Sequence, residues 1–272
     1  MLRIDNETIE KVKEIKNSQI WINEAEYALD NISLKLQQLS DNSNILEVGS
    51  GSGILLSFLK KTYPNLNFTG IEPLGADFIT LQSFHTKLKN IGKNLSITSF
   101  ENYKSDKRYE FIFLVNVFEH LDNWKDFFEF VNKYLKDNGT CLILCPNYAF
   151  PYETHFNIPI LFNKKITYKF YKNYIDNFEE TNNAHGLWNS LNFITYSKLI
   201  RFSKSNNLKL KAYNDISLNL VKRLDYDKEF NLRNPLLGKI AKLLKFIRVL
   251  NIIKFSLFRY IDPYIKVELS KN

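Results

Sequence analysis

The run Ile45-Leu46-Glu47-Val48-Gly49-Ser50-Gly51-Ser52-Gly53 narrows the choice of fold more than any other part of the chain. A short apolar stretch of strand character leads into three glycines at alternate positions, and a helix is predicted over 54–61. A backbone without Cβ atoms can turn sharply and lie against a ligand, so a strand that ends in such a loop can hold a nucleotide-type molecule outside its carboxyl end. The chain has only nine glycines in 272 residues, which makes three within five positions informative. The plainer alternative is a tight strand-to-helix turn with no ligand.

The pattern around the loop repeats. A helix is predicted over 6–40, where Ile20, Trp21, Ala25, Ala28, Leu29, Ile32, Leu36 and Leu39 recur at three- and four-residue steps. Short apolar runs at 45–48, 67–71, 95–98, 109–115 and 140–145 read as strands, with helices at 54–61, 76–90 and 124–136. Asp137-Asn138-Gly139 is expected to stop the last of these. Alternation of this kind predicts a doubly wound, Rossmann-like α/β fold with a mostly parallel sheet covered on both faces. Beyond 151 the pattern weakens. Residues 151–190 are rich in aromatics and asparagine without clean periodicity and read as a lid or cap, followed by a helix at 195–206, a strand at 208–213, a helical stretch at 235–260 and a strand at 264–269.

Composition sets outer limits. Cys141 and Cys145, on one predicted strand, lie roughly 13 Å apart at about 3.3 Å per residue, beyond the reach of a disulfide. A reducing cytoplasm is the expected setting. The N-terminus has no apolar signal region, and no stretch approaches the ~20 apolar residues of a membrane span. The formal charge of +8 favours anionic partners, although the lysine-rich composition is also what an AT-rich genome gives. Lys239, Lys242, Lys245, Arg248, Lys254 and Arg259 within 235–260 could lie on an anionic membrane surface or pack their apolar side inward.

Two details separate candidate ligands. Glu72 ends the second strand about 20 residues past the loop, where an acid can accept hydrogen bonds from ribose hydroxyls; a solvated surface glutamate is the plainer alternative. The spacing is Gly-x-Gly-x-Gly rather than Gly-x-Gly-x-x-Gly, and Glu47 just before it would repel a pyrophosphate but suit an ammonium group. A nicotinamide dinucleotide is therefore disfavoured.

The 45–53 run resembles the first motif of the class I S-adenosylmethionine-dependent methyltransferases. Tyr109-Glu110-Phe111-Ile112-Phe113-Leu114-Val115-Asn116-Val117-Phe118-Glu119-His120-Leu121 is similar to their fourth-strand motif, with the Glu-His-Leu ending of the branch that holds ubiquinone-biosynthesis and small-molecule O-methyltransferases. The resemblance covers roughly residues 20–150. It implies seven strands with the last antiparallel, and S-adenosyl-L-methionine as cofactor. Glu47, Gly49, Ser50, Gly51 and Gly53 would surround its methionine portion, and Glu72 and Pro73 its ribose. Ser99, Phe100 and Glu101 would lie by the adenine, with Ser99 where an aspartate is usual, and Asn116 and Val117 would close over the methionine end. It also implies the organisation: N-terminal helices at 1–44 capping the cofactor, a cofactor-binding core at 45–150, and a cap with the remaining strands of the same domain at 151–272.

Methyl transfer needs an in-line nucleophile and, for a hydroxyl, a base. Asn116 is not followed by the Pro-Pro-Tyr of enzymes that methylate base amino groups, so an oxygen acceptor is expected. The candidates lie after the fifth strand. His155 could serve as base, Glu153 could orient it or act itself, Tyr148 and Tyr152 could shape the acceptor site, and His185 is a second candidate base. His120 is read as a packing residue and His85 as surface or packing; no metal is expected. The acceptor implied is small, anionic or sugar-linked, as in surface-polysaccharide biosynthesis. The rivals are an RNA-directed methyltransferase, although no RNA-binding motif is present, and a non-catalytic cofactor-binding protein. A homodimer and peripheral contact with the inner membrane surface are compatible with the sequence.

Overall fold

The computed structural model describes residues 2–73, 79–214, 216–233, 235–246 and 259–272. The chain divides into two compact units: Met1–Val115 with Lys125–Leu142 and Ser270–Asn272, and Asn116–Trp124 with Ile143–Leu269.

In the first unit, α1 (Asn6–Val12) begins at Asp5, whose carboxylate accepts the Thr8 amide at 3.0 Å. The single helix expected over 6–40 is two helices, because the chain breaks before α2 (Ser18–Leu36). Asn17 takes the left-handed conformation (φ 63°), and the Ser18 hydroxyl donates to the Lys13 carbonyl that a continuous helix would have used. Of the predicted apolar stripe, Ala25, Ala28, Leu29, Ile32 and Leu36 join one core with Ile54, Leu55 and Leu59 of α3 (Ile54–Thr62), whereas Ile20 and Trp21 are half-buried and Ile22, not predicted, is buried beside them.

Between those helices runs β1 (Asn44–Val48), buried from Ile45 onward because it lies between two strands. It pairs in parallel with β2 (Asn67–Ile71), and with a later strand that places Phe111 beside Ile45 and Phe113 beside Glu47. After α4 (Ile79–Lys87), β3 (Leu95–Ser96) pairs with β2, and β4 (Tyr109–Val115) is the second neighbour of β1. Next come α5 (Asp126–Tyr134) and β5 (Leu135–Pro146). Asp137-Asn138-Gly139 does not stop a helix as expected; it lies within β5. Gly139 is there for close approach, since a Cβ would sit 2.8 Å from the Tyr109 carbonyl.

The second unit holds a hairpin, β6 (Tyr152–Glu153) against β7 (Ile158–Pro159). The segment that showed no periodicity holds a 19-residue helix, α6 (Lys164–Asn182), capped by the Asn163 side chain. Only Thr167 and Ile175 on it are buried, too narrow a stripe for a 3.6-residue pattern to register. There follow α7 (Leu187–Ser190), α8 (Tyr196–Ser205), β8 (Leu208–Ala212), α9 (Ile216–Tyr226), α10 (Lys228–Arg233), α11 (Pro235–Phe246) and β9 (Tyr264–Lys271). Of the helix expected over 235–260, α11 is present and residues 247–258 lie outside the described residues. Leu237 and Ala241 of α11 are buried and Lys245 pairs with Asp225, so these groups face the unit itself. A buried ion pair stiffens the same region. Arg223 Nε donates to Asp227 Oδ2 at 3.0 Å, and its guanidinium lies 4.1 Å from the centre of the Phe230 ring.

The seven-stranded sheet runs β3-β2-β1-β4-β5-β9-β8, mostly parallel with one antiparallel strand, as expected. Cys141 and Cys145 are free and buried on β5. Among the described residues, no helix is long and apolar enough to cross a membrane.

Candidate active site

The glycine loop leaves β1 in a conformation closed to most side chains. Gly49, Gly51 and Gly53 have φ of 75°, 50° and 72°, all left-handed. The Gly49 and Ser50 amides both donate to the Ile71 carbonyl at the end of β2, at 2.9 and 3.1 Å. At Gly51 a Cβ would lie 3.1 Å from the Trp21 ring of α2, and at Gly53 it would strike Ile91. His85, expected at the surface or in packing, braces the loop through Nε2, 2.8 Å from the Gly51 carbonyl.

Two carboxylates flank this cradle. Glu72 is buried, and its Oε2 accepts the Gly51 amide at 2.8 Å; burial still raises its pKa against that hydrogen bond. Glu47 is also buried, and burial together with the charge on Glu72 pushes its carboxyl up to about 8. Glu47 Oε2 has no hydrogen-bond partner. A buried carboxylate oxygen without a donor is costly unless a ligand supplies one. The pair therefore fits a ligand that brings a cation and hydroxyl groups, as an amino acid joined to a ribose does.

The other residues assigned to the cofactor are less uniform. Ser50 is buried and packs against Gly70, whereas Pro73 is exposed. Ser99 is half-buried and its hydroxyl accepts from Asn102; Glu101 is exposed. The Phe100 ring is committed to the core, edge-on to Phe127 and Phe130 at 5.5 and 5.7 Å, so only its backbone remains for a ligand. In the second unit Asn116 is left-handed (φ 54°) with its amide on the Leu144 carbonyl, and Val117 beside it is half-buried.

That unit gathers its own polar cluster. Glu153, fully buried on β6, accepts from His155 Nδ1 at 2.6 Å, from the Phe156 amide at 2.7 Å and from the Tyr148 hydroxyl at 3.3 Å. Burial alone would raise the Glu153 pKa; the His155 charge and these hydrogen bonds outweigh it and hold the carboxyl below its ordinary value. A carboxylate only accepts, so Nδ1 carries a hydrogen, and in the neutral ring the lone pair of His155 lies on Nε2. The His120 ring stands edge-on to that of His155 at 5.1 Å, and Glu119 beside it is fully buried. Burial, with His155 adjacent, pushes the His120 imidazole down to about 3.

Two asparagines hold the cluster's backbone. Asn192 donates through its side chain to the Phe118 and Leu121 carbonyls at 2.7 and 3.1 Å, and through its amide to that of Glu119. Asn147, only 1% exposed, donates through its side chain to the carbonyls of Asp262, Tyr260 and Arg259 and accepts from the amides of Ala149 and Tyr196.

His155, Glu153 and Tyr148 thus come together, with Tyr148 buried behind Glu153. Tyr152 turns to Asn157 instead, and His185 is exposed on the turn after α6, outside the cluster. Sequence reasoning missed Glu119 and His120 as part of this group, and Asn192, His85 and Trp21 as supports. An asparagine gives no signal that it will clasp a turn some 70 positions away, whereas the Glu119-His120 pair at the end of a strand motif was the one available signal.

Residues 20–187 match the methyltransferase domain family. The chain is 34% identical over 211 residues to an uncharacterized protein of Mycobacterium tuberculosis, covering 76% of this chain and 71% of that one. It is 26% identical to a malonyl-[acyl-carrier protein] O-methyltransferase of Ilyobacter polytropus, over 49% of this chain and 51% of that one. In fold it is similar to a phosphoethanolamine N-methyltransferase of Haemonchus contortus solved with S-adenosylhomocysteine, at a TM-score of 0.51 and 12% identity, over 97% of this chain and 60% of the other.

Proposed function

Since the chain belongs to the family of S-adenosylmethionine-dependent methyltransferases, we propose that it methylates an oxygen of a small anionic or sugar-linked acceptor. Bound S-adenosylmethionine would supply a sulfonium methyl group whose carbon takes an acceptor lone pair as the carbon–sulfur bond breaks and S-adenosylhomocysteine leaves. Glu47 would take the cofactor's ammonium, and the left-handed glycines admit its backbone-close portion. Glu72 would keep the loop in place through Gly51 and meet the ribose.

The observation that carries the oxygen acceptor is the His155–Glu153 contact at 2.6 Å. A hydroxyl becomes a good nucleophile only as its proton leaves. His155 Nε2 is the group we assign to that proton, with Glu153 fixing the ring and stabilising the imidazolium. The +8 charge favours an anionic acceptor, and sugar phosphates and glycan-linked hydroxyls are the first to test.

The test is a screen of sugars, sugar phosphates and phospho-metabolites that follows S-adenosylhomocysteine release, with mass spectrometry to locate the methyl. An O-methyl product lost in His155→Gln with S-adenosylhomocysteine binding intact supports the reading. An N-methyl product, or a rate unchanged in that variant, overturns it.

A further inference from the structure

The His120–His155 pair has a feature that a single proton acceptor does not require. Both rings are fixed the same way round. His155 Nδ1 donates to Glu153. His120 Nδ1 lies 3.0 Å from Ser190 Oγ, whose own hydrogen goes to the Leu187 carbonyl at 2.8 Å, so His120 Nδ1 is the donor. Each ring, when neutral, therefore carries its lone pair on Nε2. Glu119 Oε1 lies 3.9 Å from His120 Nε2, and one donor atom from each of Glu119, His120 and His155 lies within 4.8 Å of the other two.

Two imidazoles held through Nδ1 by outer partners, one of them a carboxylate, with a third donor converging, is the arrangement by which proteins orient metal ligands. We propose that Glu119, His120 and His155 bind a divalent zinc-class ion, with Glu153 and Ser190 as the outer groups that set the two rings. Two nitrogens and one carboxylate suit zinc and its first-row neighbours better than magnesium or calcium, which favour all-oxygen sites. Ligand–zinc distances of about 2.0–2.1 Å require the donors to draw closer than 4.8 Å. The His120 and His155 side chains are 25% and 24% exposed.

Three protein ligands leave a fourth position open. Resting on the oxygen-acceptor reading, this assigns that position to the acceptor. The ion would bind the hydroxyl oxygen and lower its pKa, the proton would pass to solvent, and His155 would act as ligand rather than as direct base.

The test uses tag-free, chelator-treated protein titrated with Zn2+ alone against a chromophoric competitor. One ion per chain is expected. His155→Gln and His120→Gln should each weaken it at least about 100-fold and Glu153→Gln about 10–100-fold, while His185→Gln binds as wild type. Circular dichroism of each variant separates lost ligation from lost folding, and the part-exposed His120 keeps the test open should substitution of buried Glu119 unfold the chain. Less than one ion bound, or wild-type binding in His120→Gln and His155→Gln, overturns the metal site. S-adenosylhomocysteine calorimetry on the metal-free protein is the second arm. Binding there with no zinc bound removes the ion alone and returns His155 to the role of base, whereas its absence removes the methyltransferase reading itself.

Discussion

Glu72 accepts the Gly51 amide at 2.8 Å while Glu47, buried at the same loop, keeps an oxygen with no hydrogen-bond donor. One Glu72 oxygen is engaged by the loop itself, whereas Glu47 Oε2 takes no donor from the protein. Burial and the Glu72 charge push Glu47 up to about 8, so it is protonated at neutral pH before the cofactor arrives. An ammonium group requires the carboxylate. Cofactor binding should therefore release close to one proton at pH 6.5 and progressively less as pH passes about 8. Calorimetry of S-adenosylhomocysteine in two buffers of different ionisation enthalpy measures this, and Glu47→Gln should weaken binding by about 10–100-fold.

The same shift has a sign for stability. Between the ordinary value of 4.5 and about 8, the native Glu47 holds a proton that the unfolded chain releases. Its contribution is complete below 4.5 and is lost as pH rises to 8. Glu47→Gln should flatten that slope and raise the Tm of the cofactor-free protein at pH 8, read by thermal scans from pH 5 to 8.

Gly51→Ala places a Cβ at φ 50°, 3.1 Å from the Trp21 ring. The backbone conformation alone costs about 1–2 kcal/mol. Urea unfolding should show at least that loss, and adding Trp21→Ala should relieve the steric part while the backbone part remains.

Asn192→Ala removes two side-chain donors from the 118–121 turn and an acceptor from the Ile194 amide. A loss of about 2–3 kcal/mol is expected. Because the turn carries Glu119 and His120, chemical shifts of both imidazoles should move as well.

Asp227→Ala removes the carboxylate that pairs with the buried Arg223 guanidinium. Removing one member of a buried pair costs about 3–5 kcal/mol, so this variant should unfold at markedly lower urea. Arg223→Met with Asp227→Leu should recover most of the loss.

The central strands were legible because their buried runs are mostly apolar, as in Phe111–Val115 of β4. The glycine loop was legible because three left-handed positions demand three glycines. Boundaries failed where one side chain decided them, as at Ser18, or where a glycine served close approach rather than a turn, as at Gly139. The helix α6 was hidden because it buries only two side chains fully. In the polar cluster of the second unit, His155 and Glu153 lie two positions apart and could be read together. Glu119 and His120 come from 35 residues earlier, and only the fold brings them alongside.

Asn147 carries one more implication. Its amide group is satisfied by carbonyls at 259–262 and by the amide of Tyr196, so the start of the segment leading to Tyr148 and Glu153 takes its shape from residues over a hundred positions downstream. A nascent chain on the ribosome can complete the glycine cradle early, but the Asn147 clasp stays open until residues 259–262 emerge. A chain cut before Arg259 would then keep the glycine loop and lose the three carbonyls that hold Asn147.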